Sequence, residues 1–241
     1  MGTHQQIDGV SVYRAEPAGS SRGTLIVIHE IWGLVEHITD VADRFAAEGY
    51  RVVAPDVLSD AGITPKAGAE LMALMHDPDE AKRLAAQPVL REKFGTARDP
   101  EFARATVERL EKVVEGLVAE GAGPVGVVGF CFGGTYAFAL AAADDRVAAA
   151  VPFYGQAPAD EQIAAISCPV LAIYGGTDER LMADLPRVRA AARSAGVDLT
   201  DKVYPEAGHA FFNDTNAGSY VPAAAADAWR LTLDFLAEHL S

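Results

Sequence analysis

Seven short stretches rich in apolar residues punctuate the chain, at 10–14, 24–29, 50–55, 125–129, 148–153, 170–174 and 199–204. Several are nearly continuous in Val, Ile, Leu and Ala, the pattern of strands covered on both faces. Between them apolar positions recur at helical spacing. Val35, Ile38, Val41, Ala42 and Phe45 do so within 35–48, and Ala105, Leu110, Val113, Val114 and Leu117 within 102–119. Segments 181–195 and 223–239 follow the same rule, and 135–143 is a helix-forming stretch. Strand–helix alternation predicts an α/β fold, a mostly parallel twisted sheet with helices on both faces. No internal repeat or low-complexity linker interrupts it, so one domain over 1–241 is expected.

One segment breaks the rhythm. Residues 58–100 contain no convincing strand and carry the breakers Gly62, Pro65, Gly68, Pro78, Pro88 and Gly95. Two short amphipathic stretches, 67–76 and 79–90, lie within it. It reads as an excursion off the sheet's carboxyl edge, where open α/β sheets place their ligand sites. It is either a lid or pocket wall, or a plain surface connection.

Composition narrows the function classes. Half of the 241 residues are apolar, enough for a sizeable core. The net charge of −14 argues against nucleic acid or an anionic membrane as a partner. No apolar span reaches the length of a transmembrane helix. The first eight residues lack the basic-then-apolar pattern of a secretion signal, so a cytoplasmic monomer is expected. The two cysteines, Cys131 and Cys168, are expected as free thiols, with Cys168 packing ahead of Pro169.

Cys131 stands in Gly129-Phe130-Cys131-Phe132-Gly133-Gly134, directly after an apolar run and before a helix-forming stretch. A nucleophile on a strained strand-to-helix turn needs small residues on both sides, the pattern G-x-nucleophile-x-G. A buried structural cysteine is the plainer alternative, while the dinucleotide pattern G-x-G-x-x-G does not fit. A thiol is useful there only with a base, an orienting acid and oxyanion donors. The run 170–174 leads into Gly175-Gly176-Thr177-Asp178, and 199–204 leads into Pro205-Glu206-Ala207-Gly208-His209. Cys131, Asp178 and His209 thus follow three strand ends in the nucleophile–acid–base order of α/β-hydrolases. Taken singly, Asp178 fits a helix cap and His209 a surface loop. His29, which ends a strand, is the rival histidine. The loop His29-Glu30-Ile31-Trp32-Gly33 is expected to supply one oxyanion N–H from Ile31, with Phe132 supplying the other. Glu30 is unexpected there. Near Cys131 it would raise the thiol's pKa by like-charge repulsion or accept its proton.

With these loops the chain resembles the dienelactone hydrolase family, the carboxymethylenebutenolidase-like branch of α/β-hydrolases. The motifs His29–Gly33, Gly129–Gly134, Gly175–Asp178 and Gly208–Phe211 carry the likeness over nearly the whole length. The resemblance implies a Cys131–His209–Asp178 triad with Glu30 paired to Cys131. It implies hydrolysis of an enol-lactone or similar small ester, and no metal or organic cofactor. Trp32, Tyr154 and Phe211 are expected at the substrate pocket. The family's lactonases anchor a substrate carboxylate with two arginines, one of them four residues after the histidine; here that position is Asn213. Arg83 and Arg91, in the excursion, are the candidates for the other. The same residues also serve a thioesterase or acyltransferase, and a non-catalytic binding module is the reading from another class.

Overall fold

The computed structural model describes residues 1–77 and 79–240, so Pro78 lies outside the described residues. Eight strands form one sheet: β1 (Thr3–Ile7), β2 (Val10–Ala15), β3 (Thr24–Ile28), β4 (Arg51–Pro55), β5 (Val125–Phe130), β6 (Val147–Phe153), β7 (Val170–Gly175) and β8 (Leu199–Tyr204). Their order is β1-β2-β4-β3-β5-β6-β7-β8. From β4 to β8 all pairs are parallel, and β1 and β2 add an antiparallel edge. All residues of β3, β5 and β7 are buried, which explains their uninterrupted apolar runs.

Strand β1 was not expected. Its sequence, Thr-His-Gln-Gln-Ile, is polar and four of its five residues are exposed. Pairing with β2 through the tight turn at Asp8 and Gly9, both at positive φ, makes it a strand without a hydrophobic pattern.

Among the described residues eight α-helices complete the fold: α1 (Glu36–Ala47), α2 (Pro65–Met75), α3 (Glu80–Lys93), α4 (Pro100–Ala119), α5 (Phe132–Ala143), the short α6 (Asp160–Ile163), α7 (Glu179–Ala195) and α8 (Pro222–His239). Side-chain caps set several starts, with Thr64, Asp79 and Asp99 accepting from the first turns of α2, α3 and α4. Two expected breakers fall inside helices, Gly68 in α2 and Pro88 in α3. Gly68 is there for close approach, since a Cβ would overlap the carbonyl oxygen of Trp32. The excursion between β4 and α4 builds a small apolar cluster of its own from Leu58, Ile63, Leu71, Ala86 and Leu90. Ile31, Trp32, Phe94 and Phe132 pack against that cluster, so it seats on the loops that follow β3 and β5.

The topology creates the crevice. From β3 the chain runs outward to β4, then crosses back to place β5 on the other side of β3. Ile28 pairs with Gly129, so the segments leaving β3 and β5 start side by side at this switch point.

Candidate active site

Cys131 occupies the turn between β5 and α5 with φ 55° and ψ −110°. That backbone region is sparsely populated for a residue with a Cβ and costs on the order of 1–3 kcal/mol. Its surroundings fix it. The Cys131 N–H donates to the Phe153 carbonyl at 3.0 Å, and the Cys131 carbonyl accepts from Thr135 at 3.1 Å. A Cβ at Gly133 would overlap the Ile28 carbonyl oxygen, so only glycine lets α5 start this close to β3.

His209 follows β8 by five residues, at the start of the turn 209–212. Its Nδ1 lies 2.6 Å from Asp178 Oδ2, and its Nε2 lies 3.1 Å from Cys131 Sγ. Asp178, at the end of the β7 loop, also accepts from the Leu181 N–H at 3.4 Å and so caps α7. The cap and the histidine contact therefore coexist in one side chain. The ring of Tyr154 packs 5.1 Å from the His209 ring.

Glu30 is buried, and burial pushes its carboxyl up to about 7. Asn213 Nδ2 donates to Glu30 Oε2 at 2.6 Å and the Tyr154 hydroxyl donates to Oε1 at 3.3 Å; both oppose that rise. The Cys131 thiol is pushed up to about 12, first by burial and then by the Glu30 charge. The backbone N–H groups of Phe132 and Ile31 and the charge of Arg180 pull the other way. The two amides expected to hold an oxyanion thus already act on the sulfur.

His29 has no freedom to act as a base. It is fully buried, its Nε2 accepts from the Val57 N–H at 3.3 Å, and its Nδ1 lies 2.7 Å from the Glu30 carbonyl. Burial lowers its pKa, keeping it neutral. With Nε2 accepting, Nδ1 carries the proton and donates to the Glu30 carbonyl. The ring stacks on Phe132 at 5.8 Å, which packs the loop after β3 against the start of α5.

Above the sulfur lies a cavity of about 590 Å³ whose lining includes Glu30, Ile31, Trp32, Cys131, Phe132, Tyr154 and His209. From the excursion come Met75, His76, Phe94 and Ala97, which makes that segment a wall. Four residues expected at the pocket are not in its lining. Phe211 is fully buried against the rings of Tyr204 and Tyr154. Asn213 is also fully buried, with its Oδ1 taken by Thr215 and its Nδ2 by Glu30. It holds the carboxylate and does not face a substrate. Arg83 borders a neighbouring cavity and donates to the Asp77 carbonyl at 2.7 Å. Arg91 is exposed on α3, away from the lining. Among the described residues Arg180 is the arginine that lines the cavity, hydrogen-bonded to Gln156 Oε1 at 3.2 Å. A sequence clue existed: an arginine in the first turn of a helix opposes the helix dipole and calls for another reason to be there. Among the described residues no cluster of three or more His, Cys, Asp or Glu side chains is arranged to hold a metal ion. No helix among them is long and apolar enough to cross a membrane.

The model of the dienelactone hydrolase family matches residues 10–240. A Saccharolobus solfataricus protein provisionally named carboxymethylenebutenolidase is 33% identical over 236 residues, covering 88% of each chain. Protein usf of Aquifex pyrophilus is 34% identical over 245 residues, covering 97% of this chain and 96% of that one. The crystal structure of a provisionally named dienelactone hydrolase from Klebsiella pneumoniae superposes with a TM-score of 0.82 at 28% identity, covering 99% of both chains. The chain belongs to the dienelactone hydrolase family and is a carboxylic ester hydrolase of the α/β-hydrolase fold.

Proposed function

We propose that, as a member of this family, the protein opens an enol-lactone or cleaves a small ester with Cys131 as nucleophile, through a thioester intermediate. The observation that carries the reading is the unbroken line from Asp178 to His209 to Cys131, with contacts of 2.6 and 3.1 Å. Asp178 orients the imidazole and stabilises its charged form, leaving Nε2 to take the thiol proton. The thiolate attacks the carbonyl carbon, and the N–H groups of Ile31 and Phe132 hold the resulting oxyanion. Collapse breaks the acyl C–O bond, and the leaving oxygen takes the proton from His209. Water, deprotonated by His209, then hydrolyses the thioester and restores the thiol. Glu30, titrating near 7, keeps the resting thiol protonated by its charge, so the nucleophile forms when substrate displaces that balance. Tyr154 and Asn213 hold the Glu30 carboxylate in place for this role.

One chain supplies every group in this scheme, in keeping with a monomer. The two free cysteines suit a reducing cytoplasm. Turnover of p-nitrophenyl acetate and of an enol-lactone by the wild type and Cys131→Ala tests the reading. The variant is expected to lose at least about a thousandfold in kcat/KM. Activity retained within about tenfold, roughly 1.4 kcal/mol of barrier, would remove Cys131 from the nucleophile's role.

A further inference from the structure

A second cavity, of about 780 Å³, adjoins the one over Cys131 and shares Thr135, Tyr136 and Gln156 with it. It lies between the start of α4, which contributes Ala103 and Val107, the face of α5 that carries Ala139, and the loop after β6 with Ala157 and Pro158. Cys131, Thr135 and Ala139 stand four residues apart. They therefore follow one another along one side of α5, about 12 Å from first to last at 1.5 Å per residue. The first lies in the catalytic cavity, the second in both, and the third in the adjoining groove. The Thr135 hydroxyl accepts from the Gln156 N–H at 3.0 Å, which ties helix to loop at the junction.

The lining is chemically selective. The chain has 34 acidic residues, yet among the described residues no carboxylate lines this groove, and the charged side chain that does, Arg104, is 71% exposed and ion-paired with Glu101 and Glu108. On the other side of the Gln156–Ala159 loop a smaller cavity carries three charged side chains, Arg180, Asp184 and Arg187, among its eight lining residues. An apolar chain leaving the carbonyl over Cys131 meets fewer charges along α5 than on that side.

We propose that the groove between α4, α5 and the loop after β6 holds an aliphatic chain of the substrate, so that the esters this site takes best carry such a chain. This rests on the ester-hydrolase reading and names its substrate class. The chain can belong to the acyl or the alcohol part, and two substrate series separate these. One runs from p-nitrophenyl acetate through butyrate and hexanoate to octanoate, the other from ethyl to octyl acetate. In the series whose chain occupies the groove, kcat/KM rises about two- to fourfold per added methylene, through KM, until the groove is filled. Ala139→Phe and Ala103→Phe fill it from opposite walls. Each is expected to abolish the rise while leaving turnover of the shortest ester within about twofold of wild type. The two variants stand in for one another should either fold poorly, which thermal denaturation reports. A flat or falling profile in both series, or a rise that survives both variants, overturns the proposal. Calorimetric binding of octanol, weakened at least tenfold by Ala139→Phe, needs no turnover. It tests the groove even if Cys131→Ala shows that the catalytic reading fails, and unchanged octanol binding in both variants also overturns the proposal.

Discussion

Cys131 faces two walls of opposite construction. One consists of strand ends: the loops after β3, β5, β7 and β8 meet at the sheet's edge and are tied to it and to one another by backbone contacts such as Cys131 N–H to the Phe153 carbonyl at the end of β6 and Thr177 N–H to the Ala207 carbonyl. The other is the excursion, whose helices α2 and α3 rest on a five-residue apolar cluster and leave Leu74, Met75, Leu84 and Val89 exposed. The first wall holds every group assigned to bond-making; the second contributes side chains to the cavity and none to that line. Reacting atoms need positions held to fractions of an ångström, and only the sheet edge supplies that rigidity. A wall that only shapes a pocket tolerates looser attachment.

Glycine substitutions would break the comparison most sharply, because both walls contain a glycine pressed against a carbonyl. Gly133→Ala puts a Cβ onto the Ile28 carbonyl between two elements that cannot yield. It is expected to cost at least about 3 kcal/mol, a fall in thermal midpoint of roughly 6–12 °C, with activity lost. Glu30→Gln comes next and has the opposite sign. The Glu30 carboxyl titrates near 7 in the fold, above its ordinary 4.5, so its contribution to stability is complete below 4.5 and lost as pH rises through 7. The variant should therefore be more stable than wild type at pH 8, by about 2 kcal/mol, and no more stable at pH 5; a pair of thermal melts decides it. Gly68→Ala repeats the steric conflict against the Trp32 carbonyl, but α2 rests on the small excursion cluster and not on the sheet, so it is expected to move aside. About 1 kcal/mol and a raised KM are expected, and a loss equal to that of Gly133→Ala would erase the distinction between the walls. Leu84→Ser, at a side chain 64% exposed, should change stability by less than about 0.5 kcal/mol and leave the kinetics alone.

The same contrast explains what could be read from the sequence. The buried strands announce themselves because both faces must be apolar, and Cys131 and Asp178 follow β5 and β7 within three residues, while His209 follows the less buried β8. Polar β1 leaves no such trace, since its partner strand and turn make it a strand. The excursion's helices are legible as short amphipathic stretches, yet Gly68 and Pro88 read as breakers and lie inside them. Substrate residues were least legible. Asn213 and Phe211 turn inward because the chain after His209 is drawn into the core, where Phe212 stacks on Phe130 at 5.2 Å. Arg180 reaches the cavity only because α7 starts beside it. Long-range packing of this kind has no local sequence signature.

The central claim is that the rigid wall stores Cys131 as a neutral thiol, held so by burial and by Glu30. Thiolate absorbance titrated against pH, taken as the difference between wild type and Cys131→Ser, measures this directly. The account predicts no Cys131 thiolate at pH 8 in the wild type, with onset toward pH 12, and an onset at lower pH in Glu30→Gln. A full thiolate signal at pH 8 in the wild type, or an onset unmoved by Glu30→Gln, would contradict it.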